Sequence, residues 1–220
     1  MVLPASHHGH NKAWYNIPPV LPDKYDPKGT YEQLGGIAGP STASKGLISI
    51  FDPFGFASRT MQGADILAFG HKNRGVNVFV PDWFVGFPVP SGCQVERIVR
   101  AHTTQDVAAR LPNYAHTLQV AYPSITSWGI HGYCWGGKVV EFNSASKIPV
   151  PYAMLASMED PVDAVRYLEA ELRVPHHVEI FDDQAHRWMA ARAGLCNPRA
   201  KKECARGYRV LLDFFAEQWP

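Results

Sequence analysis

The sequence predicts an α/β fold, a mostly parallel sheet with helices on both faces. Three observations carry that expectation. Short apolar runs alternate with amphipathic stretches along most of the chain. Two of the runs, 46–51 and 76–80, are nearly continuous in apolar residues, as strands buried on both faces are. The segment from Trp128 to Val140 reads as a strand, a tight glycine turn and a helix, with Cys134 at the tip of the turn.

Residues 1–28 are rich in His, Pro and Asn and show no periodicity, so they read as an irregular arm. Trp14, Tyr15 and Ile17 are the residues expected to pack it on the body. His7, His8 and His10 read as a solvated tail, because no carboxylate or cysteine joins them as a metal ligand. Residues 29–220 read as one α/β domain. Thr30 to Ile37 is expected as an edge strand running into Gly35-Gly36. Gly46 to Phe51 is the next strand, ended by the loop Asp52-Pro-Phe-Gly-Phe56. Thr60 to Arg74 fits an amphipathic helix that stops at Arg74-Gly75. Val76 to Val80 is a strand closed by Pro81-Asp82. The following loop, 81–95, carries Trp83 and Phe84 and is aromatic enough to line a pocket. Thr103 or Thr104 caps a helix through Leu111, and Pro112 opens another that reaches Ala121. Ser127 to His131 feeds the glycine turn, and Gly137 to Ser146 is the helix beyond it. Val150 to Ala156 is a strand. Pro161 to Leu172 is a helix with Val162, Val165, Leu168 and Leu172 on one side. His177 to Phe181 is a short alternating strand. Arg199 to Trp219 is a closing helix with Tyr208, Leu211, Leu212 and Phe215 spaced to pack.

Composition excludes several functions. The chain has 220 residues, 46% of them hydrophobic, and a formal net charge of +1. No basic stripe or acidic tail stands out, which argues against nucleic acid or a charged membrane surface as partner. The longest apolar runs are strand-sized, and the first residues lack a secretory pattern. Cys93, Cys134, Cys196 and Cys204 follow no metal or disulfide-framework spacing, which fits a reducing, cytoplasmic setting. No nucleotide-cradling glycine motif is present, so neither a metal nor a cofactor is expected.

Chemistry concentrates at the glycine turn. Gly132-Tyr-Cys-Trp-Gly-Gly137 has the Gly-x-nucleophile-x-Gly form of a nucleophile elbow, which raises the side chain at its tip above the sheet. A cysteine nucleophile needs a base, and the base needs an orienting acid. Asp160 follows the 150–156 strand and His186 follows the 177–181 strand, the chain order nucleophile, acid, histidine. Glu159 competes with Asp160 for the orienting role. Asp182 and Asp183 precede the histidine too closely to reach behind its ring. His176 and His177 open a strand at its amino end, and His131 lies within a strand.

These motifs resemble the dienelactone hydrolase family. The resemblance rests on the cysteine elbow, on Asp160, and on Gln184-Ala-His-Arg-Trp-Met-Ala190. Asp52-Pro-Phe-Gly55 is similar to that family's acidic loop after an early strand. The segments 62–67, 81–84 and 189–192 resemble fungal members, and the likeness runs from about residue 11 onward. It implies an α/β-hydrolase fold and a Cys134–His186–Asp160 triad that cleaves small esters, lactones or thioesters through a thioester. It implies that Asp52 modulates the resting cysteine, and that a monomer or homodimer acts on a small molecule. The substrate pocket is expected around Phe54, Trp83, Phe84, Tyr133 and Trp188.

Three departures from the family pattern stand out. The family's oxyanion hole uses the backbone N–H after the nucleophile, here Trp135, and the one after the loop acid. That second position is Pro53, which has no N–H, so the amide of Phe54 would have to replace it. Only 26 positions separate Cys134 from Asp160, too few for the strand and crossover that the family inserts there. The sheet is therefore expected to lack one strand between the nucleophile and acid strands. Finally, the arginine of bacterial members that holds a substrate carboxylate falls at Gly86, with Arg97 and Arg100 as uncertain replacements. A second reading follows from the first two departures: an impaired relative that binds a ligand or partner.

Overall fold

The computed structural model describes residues 25–32, 35–70, 75–85, 93–141 and 150–219. The calls on the arm up to residue 24, on Arg74 and on Gly86 lie outside the described residues. The elements are β1 (Thr30–Glu32), β2 (Gly35–Ala38), β3 (Lys45–Ile50), α1 (Ser58–Phe69), β4 (Val76–Val80), α2 (Cys93–Ala101), α3 (Thr104–Ala121), β5 (Ser127–Gly132), α4 (Trp135–Glu141), β6 (Tyr152–Ser157), α5 (Val162–Glu171), β7 (His176–Phe181) and α6 (Pro198–Gln218).

Five strands form one sheet in the order β1-β2-β4-β3-β5. The β3, β4 and β5 strands run parallel, with Ile48 opposite Phe79 and Leu47 opposite Gly129. The first two strands form an antiparallel hairpin along β4. This corrects the expectation of a single edge strand over 30–37. Gly35, at φ +112°, begins the return strand in a conformation that favours glycine. The β6 and β7 strands pair parallel with each other in a separate two-stranded sheet. Among the described residues no strand stands between β5 and β6, as the short 134–160 spacing implied.

Helices cover the main sheet on two sides. Gly129, which shares a face with Leu47, lies under Phe215 and Trp219 at the end of α6. Alternate positions point the other way, where Phe79 packs on Trp128 and on Tyr122 at the end of α3. Every residue of β3 and β4 is buried, whereas β5 alternates between buried and half-buried. The continuous apolar runs are therefore the central strands, and the broken pattern is the strand beside the split.

Two helix expectations need correction. Residues 104–121 form one helix, not two, with Pro112 inside it. Proline removes one backbone hydrogen bond there. The buried row Val107, Ala108, Leu111 and Leu118 continues across it and holds the helix together. Thr103 is the cap, its hydroxyl oxygen accepting from the Asp106 N–H at 3.1 Å. The helix after β4's predecessor also ends earlier than its pattern suggested, at Phe69, where the Gly70 N–H donates to the Ile66 carbonyl. Just before β1, the described end of the arm lies on α1. The Tyr25 hydroxyl and the Lys28 N–H both donate to the Asp65 carboxylate.

Candidate active site

The elbow is built by close backbone approach. Cys134 has φ +54°, in the left-handed region that side-chain-bearing residues rarely adopt. The Tyr133 N–H donates to the Ile50 carbonyl at 3.0 Å, which ties the turn to the end of β3. A Cβ on Gly132 would sit 2.2 Å from the Gly136 carbonyl carbon, and one on Gly136 would sit 2.3 Å from the Ile50 oxygen. Both positions therefore demand glycine. Gly137 does not, because a Cβ there would find nothing nearer than the Gly132 oxygen at 3.5 Å.

Asp160 and His186, the candidate acid and base, come from the loops after β6 and β7. His186 Nδ1 lies 3.3 Å from Asp160 Oδ1. The other Asp160 oxygen accepts from the Ser157 N–H and from the Ser157 hydroxyl, each at 2.8 Å. Burial works against the Asp160 charge, but the His186 hydrogen bond and charge and the Ser157 donors hold its carboxyl below the usual range. The Met158 N–H donates to the Gln184 carbonyl, which joins the acid turn to the histidine loop. Burial also opposes a charged His186, yet its pKa is raised to about 10. The charge of Cys134, hydrogen bonds with Asp160 and Cys134, and the charge of Asp160 outweigh the burial. One imidazole thus interacts with both the cysteine and the carboxylate.

The alternatives named from sequence go elsewhere. Glu159 Oε1 faces Arg192 Nη1 at 3.6 Å, and Arg192 also donates to the His186 carbonyl oxygen. Asp183 pairs with Arg199. His176 and His177 begin β7, at the opposite end from His186. His131 is buried against Tyr133, and burial pushes its pKa down to about 4.

Comparison with known proteins agrees with this architecture. No protein-family model matches the chain. Two uncharacterized AIM2 family proteins of Schizosaccharomyces pombe are each 25% identical to it. One aligns over 225 residues, 84% of this chain and 88% of the relative. The other aligns over 232 residues, 84% of this chain and 91% of the relative. Among solved structures, a Klebsiella pneumoniae protein provisionally named a dienelactone hydrolase superimposes with a TM-score of 0.63 at 14% identity. The match covers 86% of this chain and 97% of that one. This is an α/β-hydrolase fold. Within it, the parallel core strands carry the elbow at the carboxyl end of β5, and the two later loops bring Asp160 and His186 toward it.

Near these residues lies a buried carboxylate, Asp52. Its Oδ1 accepts from the Phe54 N–H at 2.9 Å, and its Oδ2 from the Ala191 N–H at 3.3 Å. Burial raises its pKa, opposed by those amides and by the charges of Arg187 and His186. The resemblance implied contact between Asp52 and the resting cysteine. The two carboxylate oxygens brace the loop after β3 against the loop after β7. The Phe54 amide expected at the oxyanion hole is the one that Asp52 holds.

The five aromatic residues expected around substrate are all buried. Phe54 lies under the Arg187 guanidinium at 4.8 Å. Trp83 packs on Tyr114, and Phe84 on Phe51 and Trp135. Tyr133 turns into the core toward Tyr208. Trp188 stacks on Phe181. Arg97 and Arg100 sit on α2, where Arg100 pairs with Glu96 at the surface. A groove between α1 and α6 is lined by Ile66, Tyr208, Arg209 and Leu212 among others.

Arg187 was not singled out from sequence. It is buried, at φ +69°, and places its charge near Asp52. An arginine in a loop ordinarily reads as solvated surface, so only the neighbouring His186 hinted at it. Among the described residues, no group of three or more His, Cys, Asp or Glu side chains is arranged to hold a metal ion. No helix among them is long and apolar enough to cross a membrane.

Proposed function

We propose that the chain is a hydrolase of small esters, lactones or thioesters, acting through a Cys134–His186–Asp160 triad and a thioester acyl-enzyme. In this reading it is a fungal-type relative of the dienelactone hydrolases. The observation that supports it is the His186 ring, engaged by Cys134 and Asp160 at once beside a strained elbow. A reducing compartment such as the cytoplasm keeps Cys134 a free thiol.

The electrostatics suggest the order of events. The raised His186 pKa makes the ring a ready acceptor of the Cys134 proton, and that transfer produces the thiolate, the attacking form of a cysteine nucleophile. The thiolate attacks the carbonyl carbon and a C–S bond forms. As the C–O bond breaks, the leaving oxygen takes the proton from His186. The resulting thioester carries no charge, so the Cys134 contribution that raised the His186 pKa disappears. His186 then accepts a proton from water, whose oxygen attacks the thioester. Release of the acid breaks the C–S bond and restores the ion pair. Asp160 stays ionised throughout and holds Nδ1, which keeps Nε2 available for these transfers.

The Trp135 N–H, directly after the nucleophile, is the first oxyanion donor in this scheme. The Phe54 N–H joins it only when the Asp52 side chain lets go. With one donor the rate falls by about 10²–10³. That observation also supports a second reading, an impaired enzyme that acylates and stalls. Stopped-flow and steady-state assays with p-nitrophenyl acetate separate the two. A hydrolase shows sustained Cys134-dependent turnover after any burst. A single stoichiometric burst without turnover favours the stalled form, and neither burst nor turnover sinks the triad.

The pH dependence provides a separate check. His186 has a raised folded-state pKa, so the stability it contributes is complete below its ordinary value of 6.5 and is lost as pH rises through about 10. The alkaline limb of kcat/KM, which reports the free enzyme, is expected near that upper value. Asp160→Asn removes one of the two supports of the imidazolium. The limb should move down but stay above the ordinary histidine value, since Cys134 still acts on the ring. An unmoved limb in Asp160→Asn would show that Asp160 does not orient His186.

A further inference from the structure

Ladder hydrogen bonds normally keep the carboxyl ends of neighbouring parallel strands in register. In this chain β5 pairs with β3, and β6 pairs with β7. Among the described residues no ladder joins β5 to β6. The nucleophile therefore belongs to one sheet, and its acid and base belong to the other. Something besides the sheet has to fix the distance between them.

A chain of side-chain hydrogen bonds crosses this break. The Tyr133 hydroxyl donates to the Tyr208 hydroxyl at 3.1 Å, and Tyr208 donates to the Met189 carbonyl oxygen at 2.8 Å. Tyr133 is the residue before Cys134, and Met189 is the third residue after His186. We propose that this tyrosine pair is the strut that registers Cys134 against His186 across the split sheet, with Tyr208 as a positioning residue for the reaction. The proposal deepens the function proposed above and rests on that reading of Cys134 and His186.

The surroundings are built for two hydroxyls, not merely for two rings. A Cβ on Gly63 of α1 would lie 2.2 Å from the Tyr208 oxygen and 3.1 Å from the Tyr133 oxygen. The missing side chain at Gly63 is thus the space in which the oxygens meet. The next helix residue toward the N-terminus of α6, Gly207, seats the helix on the histidine loop. A Cβ there would lie 2.5 Å from the Trp188 ring and 2.7 Å from the Met189 sulfur. Burial drives both phenol pKa values above their ordinary range, so both hydroxyls remain donors at any working pH. The Asp52 carboxylate is a second tie to the same loop, at Ala191, but it starts from the β3 loop. The tyrosine chain begins within the elbow itself, at the residue before Cys134, and reaches the histidine loop independently of the reacting Cys134–His186 contact.

The test uses the full chain with Tyr208→Phe, Tyr133→Phe and the double variant. The readouts are the His186 ring titration by NMR, and kcat and KM for p-nitrophenyl acetate. Cys134, Asp160 and Asp52 all act on the His186 charge, so its titration is sensitive to the distance to the elbow without needing turnover. In Tyr208→Phe the titration is expected to fall from its raised value toward 6.5. A small displacement of reacting groups costs kcat about tenfold or more, with KM nearly unchanged. Tyr133→Phe should act in the same direction, and the double variant should be no worse than Tyr208→Phe alone. A folded Tyr208→Phe with the wild-type His186 titration overturns the strut, whatever happens to its melting temperature. An ordinary His186 titration in the wild type overturns it as well. If Tyr208→Phe fails to fold, Tyr133→Phe decides by the same readout, since it leaves the Tyr208–Met189 bond in place. A wild type that hydrolyses nothing, but whose raised titration drops in Tyr208→Phe, would sink the hydrolase reading and keep the strut.

Discussion

Cys134→Ala is expected to reduce p-nitrophenyl acetate hydrolysis to the background rate, a loss of about 10⁴-fold or more. The loss has two physical sources. Alanine removes the atom that forms the thioester, and it removes the charge that raises the His186 pKa. The His186 titration should therefore fall in the same variant, leaving only the contribution of Asp160. Cys134→Ser separates the two effects. Serine keeps a nucleophilic oxygen, but an alkoxide is not formed at neutral pH in the way a thiolate is, so activity should remain low and His186 should titrate as in the alanine variant. Undiminished turnover in Cys134→Ala would remove the cysteine from the mechanism. The fold at the elbow should be unaffected or slightly more stable, because Cys134 holds a strained backbone angle whichever side chain it carries.

Gly136→Ala is expected to be strongly destabilising, with Gly137→Ala as its control one residue away. The new Cβ at 136 would lie 2.3 Å from the Ile50 oxygen and 2.7 Å from the Phe51 oxygen. Both are backbone atoms of the central strand and its exit, so no side chain can rotate away. Relief requires the elbow to lift off β3, which costs about 3–5 kcal/mol. At 137 the same methyl meets only ordinary contact and sits in α4. Replacing glycine by alanine in a helix there should stabilise by about 0.5–1 kcal/mol. Urea denaturation of the pair reads the difference directly. Equal midpoints would contradict the packing described for the elbow.

The elbow was legible in the sequence because its glycines are dictated by backbone contact and not by distant partners. Gly132 and Gly136 are required wherever a helix turns back so closely on its strand, so the spacing alone carries the geometry. The central strands were legible for a similar reason: burial on both faces leaves a run of apolar residues. The lack of a strand between β5 and β6 among the described residues followed from counting positions between Cys134 and Asp160, whereas the separation of β6 and β7 into their own sheet did not. Pro112 misled because local chemistry says helix start, while the buried row from Val107 to Leu118 says one helix, and packing prevails. The edge hairpin misled because β1 has only three residues. The aromatic residues expected around substrate are all buried, a property that an aromatic side chain in a loop does not announce locally. The ties that hold the site together were not legible at all. Asp52 meets Ala191 across 139 positions, and Tyr133 meets Tyr208 across 75. No local pattern announces a hydrogen bond between residues so far apart.

The acyl-enzyme is the most direct object to measure. The full chain, mixed with p-nitrophenyl acetate and quenched in acid within the first turnovers, would be digested and its peptides weighed by mass spectrometry. The proposed mechanism predicts one acetyl group on the peptide that contains Cys134, lost again as the reaction runs out of ester. Turnover with Cys134 unmodified, or with the acetyl group held on another residue, would contradict it.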